Sequence, residues 1–151
     1  DKKVAFYKVG DKFLRMTGFT AMTKSTNPKE YARQYVDETG EITDVTGYSP
    51  SIEYTFDQYV NNEVHKDIVE ITEDEKLGSD AVREIVIVDL TAPVGETGNE
   101  FEARKRLVAV VPGSDGDNAD TYSYSGTLKS KSDSIKGVAT LDADKMSLTF
   151  K

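Results

Sequence analysis

Apolar residues in this chain recur at every second position, in short runs separated by turn-forming residues, and that period sets what it can fold into. Ile52, Tyr54 and Phe56 alternate with Ser51, Glu53 and Thr55, the clearest period-2 segment in the sequence. Ile85 to Leu90 is a β-branched run that is apolar on both faces, as expected of a central strand. Arg104 to Val111, closed by Pro112 and Gly113, reads as a second central strand. Val4 to Tyr7 and Phe13 to Met16 flank Gly10-Asp11, the signature of a tight hairpin. Toward the carboxyl end, Tyr122 to Leu128, Ile135 to Leu141 and Met146 to Phe150 read as a three-strand meander.

The period switches only once. Val60, Val64, Ile68 and Ile71 recur at helical spacing, with Val69 widening the stripe and acids on the other faces. One helix is expected from about residue 61 to 73, capped by an asparagine and ended before Gly78, with His65 on its polar side. About nine strands, one helix and no repeat or linker predict a mainly β chain. The expected architecture is one β-sandwich or barrel over residues 1–151 with one flanking α-helix. A chain of 151 residues is long enough for a genuine core.

Two segments do not fit burial in a single domain. Thr23 to Lys29 is polar and reads as a loop. Tyr31 to Thr46 reads as a hairpin turning at Gly40, with Tyr31, Arg33 and Tyr35 on one side and Ala32, Gln34 and Val36 on the other. Neither face is cleanly apolar, which points to a hairpin completed by an assembly.

Composition removes several chemistries. Cysteine is absent, which excludes disulfides, thiolate nucleophiles and cysteine-bound metal, and one histidine cannot form a two-histidine metal site. His65 lies in no nucleophile elbow. Counted from Asp115, an EF-hand loop fails: its fifth and sixth positions are Ala119 and Asp120, and its twelfth is Gly126. No Walker motif accompanies Gly95 and Gly98. The net charge of −8 argues against a nucleic-acid surface. The one basic cluster, Arg104-Lys105-Arg106, aims its two arginines the same way and reads as a solvated strand end. No apolar stretch has the length of a membrane span and no signal peptide is evident, so cytosolic synthesis is expected. The chain opens at Asp1 without a methionine, so a short amino-terminal piece is expected to be processed or missing.

The segment Asp44 to Asp57 (DVTGYSPSIEYTFD), followed by Val64 to Val69 (VHKDIV), resembles the major tail tube proteins of bacteriophages and phage-tail-like bacteriocins. The opening Phe6 to Asp11 and Arg15 to Phe19 is similar as well, and the order of hairpin, strand, helix and a strand like Arg83 to Leu90 matches. Roughly the first 90 residues carry the resemblance. It implies a β-sandwich with a flanking helix and six-subunit rings stacked into a hollow tube, whose lumen is lined by one continuous barrel. No enzymatic activity, cofactor or metal is implied. Partners would be further copies of the chain, a tail terminator, a tape measure and a baseplate or initiator protein. DNA would pass through without specific binding, and no membrane insertion is implied. The location would be a virion tail or an extracellular tail-like particle. A chain this short leaves no room for the immunoglobulin-like decoration of some members. On this reading Tyr31, Arg33, Tyr35, Asp37, Glu38, Glu41 and Asp44 are the candidate lumen or subunit-interface residues, their acids repelling DNA phosphates. The competing classes are a monomeric β-sandwich module for carbohydrate or calcium, and an enzyme using His65 or an acid pair.

Overall fold

A computed structural model describes residues 2–34 and 40–151. Its first hairpin joins β1 (Lys3–Val9) to β2 (Lys12–Arg15), with Val9 paired to Lys12. Gly10 opens the two-residue loop at φ 65°, a positive value that costs glycine nothing. β3 (Phe19–Ser25), β4 (Pro28–Gln34), β5 (Glu41–Tyr48) and β6 (Ser51–Asp57) follow. The helix α1 (Glu63–Glu73) comes next, then a short 3₁₀ turn (Gly78–Ala81). The remaining strands are β7 (Val82–Pro93), β8 (Glu100–Asn118), β9 (Thr121–Ser130), β10 (Ile135–Leu141) and β11 (Ser147–Phe150).

Following the pairings, β1 joins β2, β2 joins β11, β11 joins β10, β10 joins β8, β8 joins β7, and β7 returns to β1. Six antiparallel strands therefore close into a barrel, which leaves none of them with an open edge along these ladders. Its interior is filled by Val4 and Phe6 of β1, Val86 and Val88 of β7, Phe101 and Ala103 of β8, and Phe13, Ala139, Leu141 and Leu148. Beyond the barrel the second half of β8 continues the sheet through β9 and β6 to β3, which is its edge strand.

The alternate residues of the shared strands build a second core outside the barrel. Tyr7, Ile85, Val108 and Val110 meet Tyr54, Phe56, Tyr124 and Leu128 of the extension, beneath Val64, Ile68 and Ile71 of α1. Ile85 to Leu90 is apolar on both faces because β7 is a wall of both cores. The helix is anchored chemically too. The Asp67 carboxylate accepts from Tyr7 Oη at 2.5 Å and from Arg83 Nε and Nη2 at 2.8 and 3.3 Å. Glu73 accepts from Tyr124 Oη at 2.8 Å. Burial, followed by the Asp67 charge, raises the Tyr7 hydroxyl pKa far above its ordinary value, so Tyr7 remains a donor.

The helix begins where its cap predicts. Asn62 Oδ1 accepts from the amides of Val64 and His65 at 3.0 and 3.1 Å, while its Nδ2 donates to Thr17 O at 3.0 Å. Val60 lies before this cap and is 72% exposed, so it is not part of the buried stripe. Asn62→Ala will cost about 1–2 kcal/mol, the upper range for a cap because a second tether to Thr17 is lost with it. Urea unfolding reads this directly; a cost under a few tenths would show the cap to be idle.

Other expectations are corrected. Thr23 to Lys29 is not a loop: β3 runs to Ser25, β4 starts at Pro28, and only Thr26 and Asn27 lie between. β3 reaches the core only through Phe19 and Met22, three positions apart, and Pro28 to Arg33 of β4 are exposed, so no apolar alternation marks them. β8 does not stop at Pro112-Gly113, nor is Gly116 to Asp120 a loop, because pairing with β9 continues to Asn118. A register shift between Pro112 and Ser114 absorbs the proline, which has no amide to donate. The carboxyl-terminal strands are not a meander either. β9 pairs with β8 and β6, whereas β10 pairs with β8 and β11. Eleven strands are described rather than nine.

Candidate assembly surfaces

β4 and β5 form a separate two-stranded sheet, with Tyr31 opposite Asp44 and Arg33 opposite Ile42. Tyr31 is 53% exposed, Val45 52% and Tyr48 62%, with Ile42 exposed as well. Such a hairpin is marginal in water without a surface to pack on. Here its own ladder supports it, helped by the Arg33 guanidinium 5.7 Å from the Tyr31 ring centre and by Thr46 Oγ1 donating to Lys29 O at 3.2 Å. At its root Asn27 Nδ2 donates to Ser49 O and Ser51 Oγ at 3.1 and 3.0 Å.

Of the residues singled out from the sequence, Tyr31, Arg33 and Asp44 come together on this hairpin. Glu41 begins β5, opposite Gln34. Tyr35, Asp37 and Glu38, with the expected turn before Gly40, lie outside the described residues.

The sequence misplaced His65. It is fully buried rather than on the polar side of α1. Lying three residues before Ile68, it sits on the edge of the apolar stripe and is covered by aromatic rings. It stacks on Phe56 with ring centres 4.1 Å apart, and Phe19 meets it edge-on at 4.9 Å. Nε2 lies 3.0 Å from Thr17 O, so Nε2 carries the proton, while Nδ1 has no hydrogen-bond partner among the described residues. Gly18 (φ 73°) packs so close that a Cβ there would lie 3.1 Å from His65 Cε1 and from the Tyr59 ring. Sealed in this way, the ring has no exposed surface.

Burial lowers the pKa of His65, opposed in part by its bond to Thr17. The unfolded chain therefore takes up the proton first, and stability falls as pH drops below the ordinary histidine value of about 6.5. The fall ends once the pH passes below the lowered folded pKa. In His65→Phe this part of the pH dependence disappears, which paired urea titrations at pH 7.5 and 5.5 will show. An unchanged slope in the variant would overturn the assignment.

The basic cluster lies within β8 rather than at a strand end. Arg104, exposed, and Arg106, half-buried, point the same way, and with Lys3 of β1 and Lys24 of β3 they line a cleft of about 320 Å³. Arg106 Nη1 donates to Ser130 Oγ at 2.8 Å. Lys105 faces the other way, toward Glu84, which also accepts from Lys8 at 2.9 Å at one end of the barrel. The Lys8 hydrogen bond is the main cause holding the Glu84 carboxyl below its usual range. Arg104 and Arg106 were visible in the sequence; their convergence with Lys3 and Lys24 was not, because three strands distant in sequence supply it. Asp115 and Asp117 lie on β8, where Asp115 accepts from the Tyr122 hydroxyl. Among the described residues no three acidic or histidine side chains gather as a metal site.

A barrel of six strands, a three-strand extension and one covering helix is the class of fold that these contacts define. Known structures share it. The SPP1 tail tube superposes with a TM-score of 0.65 at 13% identity, over 89% of this chain and 76% of the other. The tail of an empty GTA particle, refined with C6 symmetry, gives 0.61 at 13% identity over 89% and 94%. The terminating cap of the anti-feeding prophage tube gives 0.50 at 15% identity over 92% and 88%. At these identities the likeness establishes a shared tail-tube fold. No protein-family model and no curated protein sequence matches the chain.

Proposed function

We propose that this chain is a structural subunit that assembles into six-membered rings, stacked into a hollow tube that conducts DNA or other cargo. The carrying observation is the fold shared along 89% of the chain with the SPP1 tail tube. The C6 symmetry of the similar GTA tail supports a ring of six. The hairpin of β4 and β5, exposed on its described faces, is the element that an assembly would complete, and Tyr31, Arg33 and Asp44 are its proposed contact residues. Head-to-tail stacking of unlike surfaces produces a filament rather than a closed dimer. In this role the whole chain acts as one tail-tube domain in a virion tail or tail-like particle. It works beside terminator, tape-measure and baseplate proteins, and no catalysis is involved.

Negative-stain electron microscopy of the purified chain across a concentration series tests the reading. Rings or tubes with a central hole are expected. A chain that stays monomeric at every concentration, and gains stability with calcium or a sugar, would replace the tube reading with a binding module.

A further inference from the structure

The cationic cleft is lined by residues of β1, β3, β6, β7 and β8. Its floor is apolar, including Ile87 and Leu128, and its rim carries Lys3, Lys24, Arg104 and Arg106. The two acids of the lining already have partners, and Glu102's partner Lys136 lines the cleft too. Asp89 accepts from Thr91 N and Oγ1 at 2.9 and 2.5 Å, and Glu102 lies 3.7 Å from Lys136 Nζ. Lys24 and Arg104 have no ion-pair partner among the described residues. Burial, then the charges of Arg106, Lys3 and Arg104, lowers the Lys24 pKa, so the monomer holds these cations against mutual repulsion. Whatever fills the cleft must bring carboxylates or other anions, together with some apolar surface.

We infer that the cleft of one copy receives the acidic hairpin end of a second copy of this chain. Residues 35–44 hold Asp37, Glu38, Glu41 and Asp44 with no lysine or arginine, and Val36 and Ile42 supply apolar surface. The same copy cannot supply this end. The cleft lies at the hairpin root, lined by Lys24, Pro50 and Ser51, and β4 runs seven residues away from that root. At about 3.3 Å per residue the ladder ends roughly 20 Å away. Reaching back would break the ladder, whereas reaching a neighbour repeats the same contact from copy to copy. With a net charge of −8, this local cationic surface also sets direction: the acidic end meets one place on the next subunit rather than its acidic remainder.

The inference rests on the tube reading, and two experiments separate their failures. First, a synthetic peptide of residues 35–44 is titrated into dilute chain and followed by amide NMR. Shifts at Lys24, Ile87 and Arg104 are expected, weakened about tenfold or more in Lys24→Glu/Arg104→Glu. No shifts at the cleft, or the same shifts with inorganic phosphate or a short DNA duplex at equal concentration, would overturn the proposal. Second, Lys24→Glu/Arg104→Glu and Asp37→Lys/Glu38→Lys are each expected to stay unassembled alone and to co-assemble when mixed in equal amounts. Thermal unfolding checks that each variant folds. Assembly of either variant alone at the wild-type concentration would overturn the proposal. A wild-type chain that never polymerises would sink the tube reading, while the peptide titration would still decide the cleft.

Discussion

Phe56→Ala will destabilise the fold by about 3–5 kcal/mol, a loss comparable to much of the stability of an ordinary domain. The residue is fully buried and lies at the junction of three elements. Its ring stacks on His65 of α1 at 4.1 Å and on Tyr124 of β9 at 5.5 Å, and meets Phe19 of β3 edge-on at 5.3 Å. Removing it opens a cavity between helix and sheet that these rings cannot collapse to fill, because each is held by its own strand or helix. The loss also uncovers His65, whose unpartnered Nδ1 then meets water. Chemical denaturation should show the midpoint falling at unchanged slope, and thermal unfolding a drop of order 10 °C. A cost below about 1 kcal/mol would mean that α1 is not docked as described.

Asp67→Ala is the second large effect, about 2–4 kcal/mol. Among the described residues Asp67 is the one acceptor for Tyr7 Oη and for Arg83 Nε and Nη2, while Arg83 Nη1 donates to Asp80 O and Val82 O; the Asp67 side chain is only 15% exposed. Truncation strands a buried hydroxyl and a half-buried guanidinium at once, which costs more than the net worth of the bonds themselves. The test is a double-mutant cycle with Arg83→Ala. A coupling energy above about 1 kcal/mol is expected, since the second change removes a group already left without its partner. Additive losses would show that the pair does not hold the helix to β1 and β7.

The sequence made some of this legible and concealed the rest for physical reasons. Strands with one buried face announced themselves, as Ile52, Tyr54 and Phe56 do, because burial imposes alternation. The doubly apolar run of β7 was readable as central, though not as a wall shared by two cores. Barrel closure was not readable, because Ile135 pairing with Lys105 is a contact between distant segments with no local signature. β3 was hidden, since only Phe19 and Met22 of it reach the core and their three-residue spacing breaks the period-2 pattern. His65 was misread because a single polar residue at the edge of a helical stripe leaves its burial to the aromatic rings that cover it. The hairpin was legible through its lack of an apolar face, and four of its seven nominated residues, Tyr31, Arg33, Glu41 and Asp44, lie on the described part. The cationic cleft was concealed, because Lys3, Lys24 and Arg104 converge only once β1, β3 and β8 are in place.

The central claim is that the hairpin of β4 and β5 is half of an interface, exposed in the single chain and covered in the tube. Amide hydrogen exchange of residues 28–34 and 41–48, compared between dilute chain and assembled particles, tests it most directly. Rapid exchange is expected in the dilute chain, with protection in the particles rising toward that of the barrel strand β7. Hairpin amides that exchange equally fast in both states, or that are already as protected as β7 in the dilute chain, would contradict it.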